Sequence, residues 1–204
     1  MREILKMIVV LATITGASGL LLAGVNQGTK DQRKKQLLEY VMGPAIKEVL
    51  SGSQNQPLND VKELEVKGAE QGAGPARAVD IFPAYKNGAI WAVAFEETGK
   101  GYGGDIGVIV GIDVDTGKLL GIGITTNKET PGLGARVKEQ AFLKGFEGLP
   151  VTGEARVKAD GGTVDAVSGA TISSRGVCDA VNKAMAFYRE HRKEILATVG
   201  KQGA

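Results

Sequence analysis

Ile106-Gly107-Val108-Ile109-Val110-Gly111-Ile112-Asp113-Val114-Asp115-Thr116-Gly117-Lys118-Leu119-Leu120-Gly121-Ile122-Gly123-Ile124-Thr125 consists of two β-branched runs around an Asp-Thr-Gly turn. Val and Ile at this density fit a pleated surface, so the stretch predicts a β-hairpin. Upstream, an apolar run over residues 76–85 and Ile90-Trp91-Ala92-Val93-Ala94-Phe95 flank Lys86-Asn87-Gly88, whose Asn-Gly pair predicts a second strand pair with a tight turn. Downstream, residues 137–146 predict a helix. A longer amphipathic helix follows Ser174, with Val177, Val181, Ala184 and Tyr188 at helical spacing and Cys178 and Met185 alongside. The sum is an α+β domain, a curved antiparallel sheet with flanking helices.

The composition agrees with that class. Across 204 residues, 43% are hydrophobic, enough for a sizeable core without disulfides or metals. The 30 glycines, about twice ordinary usage, point to tight turns and close backbone approaches in a sheet-rich fold. A net charge of only +2 gives no basic stripe of the kind nucleic acid requires. One Cys and one His cannot build an iron–sulfur cluster or a tetrahedral zinc site, so any redox cofactor is organic. Cys178 reads as a small buried hydrophobe. His191, among Arg189, Arg192 and Lys193, reads as part of a solvated face.

Residues 7–25 are apolar or small with no charge, close to the ~20 residues that cross a bilayer. The run exceeds a usual signal-peptide core, which is the competing reading. Gly16, Ala17, Gly19 and Ala23 would admit a neighbouring helix closely, or face lipid. Arg2 and Lys6 precede the run while Lys30, Arg33, Lys34 and Lys35 follow it, so charge does not favour an inside N-terminus. Residues 29–50 predict a helix capped by Thr29 and Asp31, with Gly43-Pro44 as a break or kink and Leu37, Leu38, Val41, Ile46, Val49 and Leu50 mostly on one side. Its basic start suits lipid head groups or solvent. A polar connection at residues 51–60 and a Gly-rich break at residues 70–75 follow.

Two short stretches carry chemistry. Asp165-Ala166-Val167-Ser168-Gly169-Ala170-Thr171-Ile172-Ser173-Ser174 places four hydroxyls just before the long helix. Such residues cap helices by accepting bonds from the first N–H groups. The same N–H groups and the helix dipole also make a phosphate site. Glu129-Thr130-Pro131-Gly132-Leu133-Gly134, directly after the hairpin, is a turn whose glycines permit positive φ. Gly101-Tyr102-Gly103-Gly104 is a third glycine-rich stretch, suited to close approach of another chain or a ligand.

Asp165-x-x-Ser168-Gly169-Ala170-Thr171 resembles the flavinylation motif of the FMN-binding subunits of Rnf and Na+-pumping NADH:quinone oxidoreductase complexes. The Glu129–Gly134 loop and Gly101-Tyr102-Gly103-Gly104 resemble further elements of that family, in the family's order. The compact length looks more like the G subunit of Rnf complexes than the longer C subunit of the quinone reductase. The resemblance implies FMN joined by a phosphoester to Thr171, with Asp165 recognised by a flavin transferase. Ser168, Gly169, Ala170, Ile172 and Ser173 would surround the attachment point. Glu129 and Thr130 would offer polar atoms to the flavin ring edge or ribityl chain, Leu133 an apolar surface for the ring face, and Gly132 and Gly134 the turn between them.

The implied layout is a transmembrane anchor (residues 1–28), a juxtamembrane helix and connection (29–75) and an FMN-binding domain (76–204). The implied role is an electron relay with no catalytic or metal-binding residues of its own, in an ion-translocating oxidoreductase that moves electrons between ferredoxin and NAD, coupled to Na+ or H+ transport. Nothing in the chain resembles a nicotinamide or ferredoxin site, and no charge within the apolar run marks an ion path. Its partners would be the other subunits, membrane lipid and the flavin transferase. The resemblance places it in the cytoplasmic (inner) membrane with the soluble domain on the extracytoplasmic side. The alternatives are the C subunit of the quinone reductase, a free-standing exported flavoprotein, and a cofactor-free membrane-anchored binding module.

Overall fold

The computed structural model describes residues 2–66 and 77–200, so the break at residues 70–75 lies outside the described residues. The chain forms two compact units, Met1–Tyr40 and Val41–Ala204. The first is dominated by helix α1 (Arg2–Gln36). Its segment Arg2–Lys30 contains an 18-residue window with a mean hydropathy of 2.2 and is long and apolar enough to cross a membrane. Two of the hydroxyls inside this segment need no water, because Thr13 and Thr15 each donate to a carbonyl one turn back, at 2.8 Å from Val9 O and Leu11 O. Thr29 does the same to Val25 O at 2.7 Å. The chain therefore enters no new helix at residue 29, and the expected cap by Thr29 and Asp31 does not form; the helix simply continues.

At Gly43-Pro44, the expected break or kink, the helix changes type. Leu37–Met42 is a π-helical stretch that leads directly into α2 (Gly43–Val49), with Pro44 in the first turn of α2. Proline lacks an N–H and crowds the carbonyl four residues back. Widening the preceding turn to i→i+5 bonding relieves that crowding without ending the helix. Leu37 and Val41 are exposed, while Ile46, Val49 and Leu50 are buried.

Five strands form one antiparallel sheet in sequence order: β1 (Lys62–Val66), β2 (Arg77–Lys86), β3 (Ala89–Lys100), β4 (Asp105–Asp113) and β5 (Leu119–Asn127). Both expected hairpins are present. Asn87 (φ 51°) and Gly88 (φ 76°) supply the two positive φ angles that a two-residue hairpin turn requires. At the β4–β5 turn, Asp113 Oδ1 accepts from Thr116 N at 2.7 Å and Asp115 N at 3.1 Å. Strand β1 is not foreshadowed by the sequence pattern. Its Lys-Glu-Leu-Glu-Val stretch turns one central apolar side chain inward, and it belongs to the compact unit that starts at Val41 rather than to a bare connection.

Helix α4 (Thr171–Val199) packs Val177, Val181, Ala184 and Tyr188 in one core with Ile81, Val93, Phe95, Val108 and Val110. The other face of β4 and β5 meets α2, where a Cβ on Gly123 would stand 2.6 Å from that of Ala45. Cover on both faces explains why the Ile106–Thr125 stretch reads as near-continuous apolar runs rather than alternating ones. Each large buried side chain contributes about 1.5–3 kcal/mol.

Residues 137–146 are not one helix. A 3-10 turn (Gly134–Lys138), a single α-turn α3 (Gln140–Leu143) and another 3-10 turn (Lys144–Phe146) succeed one another, with Glu139 extended at ψ 135°. On a continuous helix Val137 and Phe142 would point about 140° apart; the extended Glu139 lets both be buried. His191 is also not solvated. Its side chain is 13% exposed, packs on Phe187 with centroids 4.9 Å apart, and lies 3.1 Å from Glu194 Oε2. On α4, position 191 falls beside the core stripe rather than opposite it.

Candidate functional site

The first turn of α4, the loop after β5 and the loop between β3 and β4 meet at one cavity of about 440 Å3, within the ~300–1,000 Å3 usual for small-molecule sites. Glu129, Thr130, Leu133 and Gly134 line it from the loop after β5, and Gly169 through Ser173 from the start of α4. Two residues expected near a ligand, Gly132 and Ser168, do not line it, and neither does Asp165, expected to serve a transferase. Tyr102 does. The sequence assigns this residue no role of its own, and its one hint is an aromatic set among three glycines.

Two close backbone approaches bring these segments together. At the end of β3, a Cβ on Gly99 would collide with Gly176 O. A Cβ on Gly176 would stand 2.5 Å from Lys100 O and 2.8 Å from Lys100 C. Helix α4 thus crosses the end of the central strand β3 through a glycine–glycine contact that no larger pair allows, which sets its first turn beside the 101–104 loop. That loop is closed by Gly101 N–H donating to Gly104 O at 2.8 Å.

Hydroxyl capping of α4, the ordinary explanation of the Ser/Thr cluster, does not occur. The N-cap is Ala170, without a side-chain cap bond. Ser174 Oγ donates to Ala170 O at 3.0 Å and accepts from Val167 N at 3.0 Å, bracing the turn from within. Ser173 Oγ donates to Glu129 Oε2 at 2.6 Å. Among the described residues, no protein hydrogen bond engages the Thr171 hydroxyl, which sits half-buried on the cavity wall as the first residue of α4. The Ser173 and Ser174 hydroxyls are turned to other partners, and the helix start keeps no side-chain cap, the condition in which a helix N-terminus receives an anion.

Two ion pairs brace the segment leading into α4. Arg175 meets Asp160 in a bidentate pair at 2.6 and 2.7 Å. This bond holds the Asp160 carboxyl below its ordinary range. Lys158 Nζ lies 2.7 Å from one oxygen of Asp165 and 2.9 Å from the other, leaving Asp165 exposed on the surface. Further along α4, the Cys178 thiol is pushed up to about 12, first by burial and then by the charge of Asp160. It is a neutral packing group rather than a nucleophile.

The apolar and polar surfaces are segregated in a way that fits a flavin phosphate. Leu133, Ile172 and Tyr102 present exposed apolar area beside the cavity, while the open helix start offers donors. The FMN-binding domain family matches residues 101–186. The G subunit of an ion-translocating oxidoreductase complex from Cereibacter sphaeroides is 34% identical over 88% of this chain and 82% of its own. The corresponding G subunit from Vibrio parahaemolyticus is 35% identical over 82% and 79%.

The chain belongs to the G-subunit family of ion-translocating oxidoreductase complexes.

Its fold extends further than this family. NqrC of Shewanella oneidensis superposes with a TM-score of 0.58 at 19% identity, covering 76% of this chain and 96% of that one. The C subunit of the Na(+)-translocating NADH-quinone reductase from Parabacteroides distasonis gives a TM-score of 0.55 at 21% identity, covering 89% and 98%. At these identities the likeness is one of fold. In this G-subunit chain the matched FMN-binding region begins with the glycine-rich loop at residue 101 and ends within α4, so it contains every wall of the cavity.

Proposed function

We propose that this protein carries one FMN, esterified through its phosphate to Thr171 Oγ1, and serves as an electron relay in a membrane-bound Rnf-type complex. The observation that carries this reading is the Thr171 hydroxyl, which no described residue engages, at the uncapped start of α4 and on the wall of the cavity. In the esterification the Thr171 oxygen forms the new bond to phosphorus and loses its proton, while the leaving group departs from the flavin donor held by a transferase. The phosphodiester that results keeps a negative charge where the helix N–H groups and dipole favour it. The exposed Asp165 is a handle the transferase can grip before it reaches Thr171.

Bound there, FMN supplies one-electron redox chemistry. The chain's own contribution is to fix the ring. Leu133 and Ile172 offer apolar contact, Thr130 and the open amides offer hydrogen bonds, and Gly134 and Gly169 keep the walls free of side chains. Covalent attachment prevents loss of FMN from a domain outside the cytoplasm. The apolar face of α1 is exposed along its length, and such a surface needs lipid or neighbouring membrane helices as cover. Relatives named as subunits of an ion-translocating oxidoreductase complex support a place in such a complex, and within it we assign this chain to electron passage between ferredoxin and NAD, coupled to Na+ or H+ movement.

Expression with a flavin transferase, followed by peptide mass spectrometry, tests the attachment. The FMN-sized mass increment is expected on Thr171 and absent from Thr171→Ala, which should still fold and stay in the membrane fraction after an alkaline wash. An increment on another residue, or on Thr171→Ala, would refute the assignment.

A further inference from the structure

Among the described residues Glu129 is the one carboxylate on the cavity wall, and it is only 7% exposed. Each of its oxygens is already tied to a separate segment of the protein. Oε1 accepts the Gly103 N–H at 2.9 Å and Oε2 accepts the Ser173 hydroxyl at 2.6 Å. Among the described residues no Lys or Arg pairs with it, so two neutral donors from two separate segments stabilise its charge. Glycines make room for it on both sides. A Cβ on Gly134 would lie 2.8 Å from Glu129 Cβ and from Ser173 Oγ, and one on Gly101 would lie 3.0 Å from Glu129 Cδ.

A buried carboxylate is costly to leave without its donors. Bonds to an ionised acceptor are also the stronger kind. Glu129 therefore draws three segments together: its own loop, the first turn of α4 through Ser173, and the 101–104 loop through Gly103. Tyr102 lies within the closed 101–104 turn and has no packing of its own to hold it, since it is 75% exposed. Its place on the cavity wall is set by the backbone on which it rides, and that backbone is tied down by Glu129.

We infer that Glu129 is a positioning residue: its carboxylate latches the 101–104 loop to α4 and so holds the Tyr102 ring on the cavity wall, against the planar ligand. This inference rests on the FMN reading above.

The test uses the full-length, flavinylated protein and compares Glu129→Gln, Glu129→Ala, Ser173→Ala and Tyr102→Leu. Gln keeps the latch and removes the charge. Its carbonyl oxygen still accepts from Gly103 N–H, and its amide donates to a Ser173 hydroxyl that rotates to accept. The readouts are flavin fluorescence, its quenching by iodide, and the reduction potential. Tyr102→Leu, Glu129→Ala and Ser173→Ala should each raise fluorescence and iodide quenching several-fold, while Glu129→Gln stays at the wild-type values in both and only raises the potential, because it keeps the latch but removes a negative charge beside the flavin. Because Glu129 acts through Tyr102, adding Glu129→Ala to Tyr102→Leu should change fluorescence no further. If Glu129→Ala fails to load or to fold, Ser173→Ala takes its place in both comparisons. A Glu129→Gln protein as perturbed as Glu129→Ala, a wild-type-like Ser173→Ala, or additive effects with Tyr102→Leu would overturn the inference. Wild-type protein without flavin after exposure to the transferase would instead refute the FMN reading itself.

Discussion

Replacing Gly176 with Ala separates helix propensity from tertiary geometry, because the two give opposite signs. Gly176 lies inside α4. In an exposed helix interior, Gly→Ala stabilises by about 1 kcal/mol. Here the new methyl would stand 2.5 Å from Lys100 O, 2.8 Å from Lys100 C and 3.1 Å from Gly101 N. All three neighbours are backbone atoms, held by the β3–β4 pairing and the closed 101–104 turn, so no side chain can rotate away. Overpacking a tight contact costs about 1–3 kcal/mol, and rigid neighbours put this site at the upper end of that range. The net expectation is a loss of about 1–2 kcal/mol. Urea unfolding followed by the fluorescence of Trp91, the sole tryptophan, measures it directly. The displacement required to relieve the contact also moves the first turn of α4 away from the 101–104 loop, so covalent flavin should become more accessible to iodide. A Gly176→Ala protein as stable as wild type, or more so, would refute the reasoning.

Cys178 should resist thiol reagents near neutral pH in the folded protein and react at the rate of unfolding, because its thiolate is strongly disfavoured. With the folded pKa raised from 9.0 to about 12, the thiol's contribution to stability is full below pH 9 and falls as pH rises from there toward 12, since only the unfolded chain ionises in that window; urea unfolding across this range checks the sign. At the β2–β3 turn, Asn87 holds φ 51°, so Asn87→Val should destabilise by about 1–2 kcal/mol while Asn87→Gly stays close to wild type in the same urea assay.

Local features were legible in the sequence wherever the relevant partners are near in the chain. The Asn87-Gly88 turn, both hairpins and the buried stripe of α4 depend on residues a few positions apart, so spacing alone specifies them. The same holds for the long apolar run of α1, and for the order of the three glycine-bearing or hydroxyl-bearing stretches that resemble the family's elements. The α+β class follows from these.

Tertiary structure decided the rest. Whether Ser173 caps its helix or serves a carboxylate 44 residues away cannot be told from its neighbours, because both uses need the same hydroxyl. Strand β1 exists because the β2 edge offers it a ladder, not because Lys62–Val66 has a strong pattern. Residues 137–146 have a helical pattern that burial of Val137 and Phe142 overrides, and His191, flanked by charges in sequence, is covered by Phe187 in space. Tyr102 joins the cavity only because Gly99 and Gly176 let α4 approach the end of β3. A glycine in a sequence states what is permitted; which backbone then fills the permitted space is fixed by the packing of segments far apart in the chain.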